Sequence, residues 1–506
     1  MADSRLPLGA LPRYYAERKP PSALALVHPE GALTWSQLEA RANQRARLYR
    51  SLGVGPGDYV SLALGNGNAF YETTFAVWKL GAIPNVISSR LPAGEAGEIL
   101  QLVKPKLLVA ESVEILQLMR PKDCACIAAD ADLSGFDDST VEDAEPAPQW
   151  KAMTSGGSTG RPKIIVDRKP ALHDPSEVIF EQRAGGVVLN PGPLYHNAPF
   201  MLTHLALFNG STVVGMRRFD AEEALQLIER HLVDWVNFVP TMMHRIWALP
   251  ESVRKRYDLS SLRAVWHMAA PMPEWLKQFW LDWLGADKLW ELYGGTERQG
   301  LTTINGVEWL KRRGSVGRLV TPGGMKALRE DGSDCDADEV GEIYFLPTDG
   351  PGSTYYYLGA DAKRRPDGWE SLGDIGRIDA DGYLYLADRR VDLIVRGGAN
   401  IYPAEVEAAL DAHPAVASSV AIGLPDAELG RVVHALVQPR PNSQLDVAEL
   451  HSFLATKLGR YKLPCSYELS ASPLRDDAGK VRRTALRDER EAWLTQGRVF
   501  RLFPPV

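Results

Sequence analysis

Apolar residues in this chain fall into short runs whose spacing switches back and forth between strand and helix periods. Residues 33–47 carry Ser36, positioned to cap a helix, and Tyr59-Val-Ser-Leu-Ala-Leu64 then reads as a strand. Ala69 to Leu80 follows with helical spacing, and Gly81-Ala-Ile-Pro-Asn-Val-Ile87 is a second strand. The same alternation recurs through 105–119, 185–215 and 232–249, which predicts an α/β fold with a mostly parallel or mixed sheet flanked by helices. The texture changes at 315–388. Gly341-Glu-Ile-Tyr-Phe345 and Gly382-Tyr-Leu-Tyr-Leu386 are short strands between Asp/Gly turns, so a small β-rich subdomain is expected there. Beyond 392 the order is helix (403–413), strand (415–422), strand (431–438), helix (446–458) and a basic, loop-rich end. The expected organisation is an N-terminal region 1–388, a hinge at 389–392 and a small, mobile α+β domain at 393–506.

With 506 residues the chain exceeds one ordinary core, which agrees with several domains. A net charge of −7 disfavours nucleic acid as the main partner, and Lys311-Arg-Arg313 is then a local, solvated run. Cys124, Cys126, Cys335 and Cys465 are too scattered for a disulfide framework or zinc site, so a reducing compartment is expected. The first residues do not read as a signal peptide, and no apolar stretch approaches a membrane span. A cytoplasmic location follows as an expectation.

The segment richest in chemistry is Thr154-Ser-Gly-Gly-Ser-Thr-Gly-Arg-Pro-Lys163. Gly156, Gly157 and Gly160 let backbone amides approach an anion, Thr154, Ser155, Ser158 and Thr159 add small donors, and Arg161 and Lys163 add charge. A loop that grips a polyphosphate needs this combination. The Walker pattern fails because Arg161-Pro162 follows Gly160. Gly156-Gly-Ser-Thr-Gly160 matches a hydrolase nucleophile elbow in letters, but that elbow requires a helix after the serine and Lys163-Ile-Ile-Val166 reads as a strand. A plain surface loop would not need four hydroxyls and two cations.

Further segments accompany it in order: Glu291-Leu-Tyr-Gly-Gly-Thr-Glu297, Ser371-Leu-Gly-Asp374, Ala387-Asp-Arg-Arg-Val-Asp392 running on to Glu407, and Asp477-Ala-Gly-Lys480. Asp374 follows a glycine turn at a strand end, a place where acids hold ribose hydroxyls. With these motifs, from about residue 30 to 487, the chain resembles the superfamily of acyl-CoA synthetases, luciferases and peptide-synthetase adenylation domains. Pro193-Leu-Tyr-His-Asn-Ala-Pro199 and Tyr293-Gly-Gly-Thr-Glu297 look like bacterial bile-acid and fatty-acid CoA ligases.

The resemblance implies an ATP- and Mg²⁺-dependent acid–thiol ligase that forms an acyl-adenylate and passes the acyl group to coenzyme A. Under it, residues Thr154 to Lys163 would hold the β- and γ-phosphates, Ala270 and Tyr293 would border the adenine, and Thr296 would contact the α-phosphate. Glu297 would hold Mg²⁺, Asp374 the ribose, and Arg389 would reach the nucleotide. Lys480 would bridge carboxylate and α-phosphate. After rotation of the small domain, Gly397 and Gly398 would line the pantetheine tunnel. The acyl pocket is expected around His196, Asn197, Phe238, Gly294 and Gly295, with the paired glycines leaving room for a bulky acid. His196 is read as a wall or gate rather than a base.

Two departures stand out. Val391 occupies the position where relatives often carry Asp or Lys as the pivot, and Arg298 follows Glu297 where they carry a small residue. Arg298 is able to pair with Glu297, contact phosphate or point to solvent; the first would favour an enzyme that only thioesterifies a preformed adenylate. Loading of a carrier protein is a further alternative. A non-catalytic binder would lack Glu297 or Lys480, and both are present. Expected partners are a small carboxylic acid or its adenylate, ATP or AMP, and CoA, without nucleic acid or a membrane span; a homodimer is left open.

Overall fold

The computed structural model describes residues 4–119, 124–141, 144–156, 162–389, 392–397, 399–441, 443–476 and 479–502. Four-residue runs such as Leu107–Ala110 are buried at every position, as strands covered on both faces must be. They assemble into two large sheets. The seven-stranded sheet runs in the order 355–358, 162–167, 152–156, 83–86, 59–63, 107–110, 125–128, and its last five strands are parallel. The nine-stranded sheet has a parallel centre (24–28, 212–215, 187–190, 235–238, 264–267, 289–294) closed at each end by antiparallel strands.

Helices Trp35–Ser51, Asn68–Lys79 and Asn197–Phe208 share one core with both sheets, so Val60 and Leu62 of one sheet and Leu26 and Val188 of the other belong to the same cluster. Its centre is aromatic, with His204 4.3 Å from Phe200 and 5.2 Å from Trp78 between ring centroids. The first of these helices is capped by Thr34, which accepts from the Gln37 amide while Gln37 answers the Thr34 amide. Ser36, the expected cap, lies inside the helix.

Two smaller sheets complete the chain. A four-stranded antiparallel sheet (323–328, 341–347, 374–378, 384–389) lies within the β-rich stretch anticipated from sequence. Tyr355–Leu358 leaves that stretch to pair with Ile164–Asp167 of the seven-stranded sheet. The last sheet uses only strands from 394 to 502 and encloses cores of its own, around Val433 and Leu450 and around Leu436 and Phe500. Among the described residues no helix is long and apolar enough to cross a membrane.

Candidate active site

Strands 187–190, 235–238, 264–267 and 289–294 all end on one side, and the loops after them open a cleft of about 3010 Å³. Open α/β sheets place ligands at this carboxyl edge. The described parts of the hydroxyl- and glycine-rich segment lie on the two paired strands 152–156 and 162–167, with Gly156 opposite Pro162 and Thr154 opposite Ile164. The next described element is the strand Pro162–Asp167 and not a helix, which counts against the nucleophile-elbow reading. Gly157, Ser158, Thr159, Gly160 and Arg161 lie outside the described residues; Thr154, Ser155 and Lys163 line the cleft.

Ala270 lines the cleft from the loop after strand 264–267, where Ala269 takes a left-handed φ of 75°. Tyr293 donates its hydroxyl to Asp374 Oδ2 at 2.6 Å, and Asp374 starts its strand directly after Gly373 at φ 84°. The two residues thus fix each other at one wall. Thr296 and Glu297 occupy the turn closed by the Arg298 amide on the Gly295 carbonyl. Glu297 is buried; its Oε1 accepts from Tyr357 at 2.6 Å and from Lys163 at 3.3 Å, and the Lys163 ammonium lies 4.0 Å from the Tyr357 ring centre. Burial and the Glu297 charge push the Tyr357 hydroxyl well above its usual range, so it stays a donor.

Arg298 does not pair with Glu297. It turns away at φ 57° and forks onto both oxygens of Asp167, at 3.2 and 3.3 Å. Asp167 is 1% exposed and also faces Lys151 at 3.3 Å; Lys151, wholly buried, donates to Asn197 Oδ1 at 2.8 Å. Burial alone would raise the Asp167 carboxyl, but the Lys151 and Arg298 charges hold it below the ordinary range. Burial lowers Lys151 in turn. A continuous ionic chain therefore runs from the residue after Glu297 to the start of helix 197–208. Nothing in the order of residues marks it, since Lys151, Asp167 and Tyr357 meet only in three dimensions.

The small C-terminal unit closes the cleft. Asp476 accepts from the Lys480 amide at 2.8 Å while its own amide donates to the Lys480 carbonyl, and Lys480 lines the cavity. Gly479, at φ 76°, sits so close to Thr241 that an added Cβ would lie 2.8 Å from its hydroxyl. His196 lines the same space 3.8 Å from Asp476, and burial together with the Lys480 charge pulls its imidazole down to about 3. It is neutral near pH 7, as suits a wall residue.

Asn197, Gly294 and Gly295 also line the cleft, but the glycines have another reason than the expected space for a bulky acid. A Cβ on Gly294 would meet Leu301 at 2.3 Å, and one on Gly295 would meet Leu372 at 2.6 Å and Glu297 at 2.8 Å. Phe238 is corrected outright. It is 1% exposed and packs on Trp280 at 6.0 Å, because strand alternation turns its neighbour Asn237 to the cleft and Phe238 to the second core. Gly397, at φ 55° in the 394–401 hairpin, is exposed and away from the cleft in this arrangement. Val391 and Gly398 lie outside the described residues, as does the Arg389 side chain.

A cleft at a sheet's carboxyl edge, lined on one side by a small C-terminal unit and its Lys480, is the two-part arrangement of adenylate-forming enzymes. The chain belongs to the AMP-binding enzyme family: the family's profile matches residues 13–357, and that of the AMP-binding enzyme C-terminal domain matches 405–473. It is 33% identical over 480 residues to a feruloyl-CoA synthase of Amycolatopsis sp, covering 92% of this chain and 95% of that protein. It is 30% identical over 503 residues to a fatty acid–[acyl-carrier-protein] ligase of Streptomyces coeruleorubidus, covering 94% and 95%. The o-succinylbenzoate CoA synthetase of Bacillus subtilis, solved with its acyl-adenylate intermediate, superposes with a TM-score of 0.78 at 25% identity, covering 96% of this chain and 98% of that one.

Proposed function

We propose that the protein is an acyl-CoA ligase that activates a carboxylic acid as its adenylate and transfers the acyl group to coenzyme A. The observation that carries this reading is Lys480 held in one cleft with Glu297, Asp374 and the 152–167 hairpin. A carboxylate oxygen attacks the α-phosphorus of ATP, the bond to the β-phosphate breaks, and pyrophosphate leaves. Two anions must approach, and Lys480 at the α-phosphate offsets their repulsion; a unit charge ~4 Å away is worth about 4 kcal/mol at an effective dielectric of ~20. Tyr293 and Ala270 would flank the adenine, Asp374 the ribose, and Lys163 would leave Glu297 for the phosphates.

The donor set fits Mg²⁺. Among the described residues no group of three metal-ligating side chains exists, and Glu297 offers one carboxylate at the cleft wall. Mg²⁺ is commonly held by one or two carboxylates plus water and substrate phosphates, and it would neutralise charge on the polyphosphate. In the second step the thiol sulfur attacks the acyl carbon, the C–O bond to phosphate breaks, AMP leaves, and the thiol proton goes to water. That step needs the polyphosphate side cleared, so the C-terminal unit must turn about residues 389–392 and bring Gly397 and Gly398 to the cleft. Four free cysteines suit a reducing, cytoplasmic setting.

A panel of acids with ATP and CoA, scored separately for pyrophosphate, adenylate and thioester, tests the reading. Thioester formation with equimolar pyrophosphate is expected. Pyrophosphate release without transfer to CoA, but with transfer to a carrier protein, would move it to the carrier-loading reading that the Streptomyces relative's name suggests. Arg298 is held by Asp167 at 3.2 Å, so Glu297 is not blocked and adenylation is expected to be intact.

A further inference from the structure

Lys480 lies in the chain between two arginines that grip one buried carboxylate. Glu407, on helix Pro403–Asp411, accepts at Oε2 from Arg475 at 3.0 Å. Its Oε1 accepts from Arg483 and from the Ala421 amide, the latter at 2.9 Å. Arg475 precedes the lysine and Arg483 follows it, so both ends of the segment that carries Lys480 are tied to the same point. Arg475 also donates to the Gly479 carbonyl at 3.3 Å, directly before the lysine, and to the Ser419 carbonyl at 3.0 Å. Arg483 donates to the Ala421 carbonyl at 2.6 Å. The side chains of Glu407, Arg475 and Arg483 are 9%, 15% and 15% exposed, so water competes little with these bonds. Burial alone would raise the Glu407 carboxyl, but the Arg483 and Arg475 charges hold it below its ordinary range.

The same cluster reaches the other end of the small unit. Arg483 Nε lies 3.3 Å from Asp392 Oδ2, and Asp392 ends the 389–392 segment about which the unit is proposed to turn. A lysine on a loose segment would spread its ammonium over many positions, whereas a misplacement of ~1 Å at a reacting centre can cost about a hundredfold in rate. We infer that Glu407 is a positioning residue for adenylation. Through Arg475 and Arg483 it makes the Lys480 segment, helix 403–411 and the pivot end at Asp392 one piece, so that the lysine returns to the same place whenever the unit closes. This inference rests on the acyl-CoA ligase reading, in which Lys480 acts at the α-phosphate; Glu407 itself touches no reacting atom.

The test compares Glu407→Gln, which keeps the shape of the side chain and removes its charge, with Lys480→Ala and with the two combined, all in the full-length protein. Glu407→Gln should lower kcat for acid-dependent pyrophosphate release about thirty- to a hundredfold. KM for ATP and acid, and thiol attack on a supplied acyl-adenylate, should stay within about threefold, because the large body holds those groups. Added to Lys480→Ala, Glu407→Gln should cost less than about twofold more, since the group it positions is gone. Arg475→Gln loosens only the side before the lysine and should show the same split at about tenfold. Trypsin should cut between 475 and 483 about tenfold faster in Glu407→Gln, with rates elsewhere unchanged. Unchanged pyrophosphate release, an equal fall in both half-reactions, or a large further loss beyond Lys480→Ala would overturn the inference and leave the ligase reading in place. If the wild-type protein forms no adenylate with any acid, the ligase reading fails instead. Faster cleavage confined to 475–483 then still supports the clamp, and an unchanged digest removes it.

Discussion

Charges inside the large body and charges between that body and the C-terminal unit are arranged in opposite ways. Within the body, Lys151, Asp167 and Arg298 form a chain in which Asp167 is 1% exposed and answers two cations. Between the units, Arg482 reaches Glu95 at 3.1 Å with 67% of its side chain exposed, and Arg440 meets His244 at 3.5 Å above the Trp247 ring. A buried pair broken on one side leaves a stranded charge and is costly to disturb. An exposed pair exchanges freely with water and is worth little. The body's half of the site is thus locked by desolvated ions, whereas the half that the proposed domain turn would carry away is held by contacts that release easily.

The sharpest way to break this contrast is to remove Lys480, the lysine that the C-terminal unit brings to the cleft. Lys480→Ala should lower adenylation by about three decades, the equivalent of ~4 kcal/mol, while thiol attack on a supplied acyl-adenylate stays within a few-fold. Pyrophosphate release and thioester formation measured separately check it, and equal loss of both steps would contradict the role. Asp167→Ala comes next: with Lys151 and Arg298 left unanswered, about 3–5 kcal/mol of stability should go, read as an earlier unfolding transition in urea. An unshifted midpoint would show that the buried chain does not lock the body.

Acid should separate the regions further. Burial lowers His204 to about 3 and His267 to about 4 in the body; burial and the Arg440 charge lower His244 to about 4 at the contact. Their stabilising share is full above the unfolded value of about 6.5 and is lost as pH falls towards 4, because the unfolded chain then takes up protons that the folded one refuses. The melting temperature at pH 5 should lie below that at pH 7.5, and an equal or higher value would refute this. Least affected should be Glu95→Ala. Loss of its exposed partner Arg482 is expected to change adenylation no more than about fivefold. A loss as large as that of Lys480→Ala would erase the distinction between locked and releasable charges.

Sequence periodicity revealed the alternating strands and helices because buried parallel strands and amphipathic helices leave different spacings. Of the residues singled out by motif, Thr154, Ser155, Lys163, Tyr293, Thr296, Glu297, Asp374 and Lys480 come together along one cleft. Errors arose where local pattern competes with tertiary context. Ser36 has the right chemistry for a cap, yet Thr34 together with Gln37 supplies both halves of the box. Phe238 is a plausible pocket aromatic until strand alternation decides its face. Gly294 and Gly295 suggested room for substrate, whereas Leu301 and Leu372 fill the space their side chains would need. Tyr357 is joined to Glu297, and Lys151 and Asp167 to Arg298, only by folding.

The pairing of Tyr355–Leu358 with Ile164–Asp167 places nearly two hundred residues of chain between one strand of the 152–167 hairpin and its outer neighbour. During synthesis the ribosome must release about 360 residues before that edge is covered, so for much of translation the hairpin carries an open ladder of amide and carbonyl groups. A product truncated before Tyr355 would keep this edge bare and be prone to strand-to-strand aggregation, which makes the late tyrosine strand a chaperone-like clasp built into the chain itself.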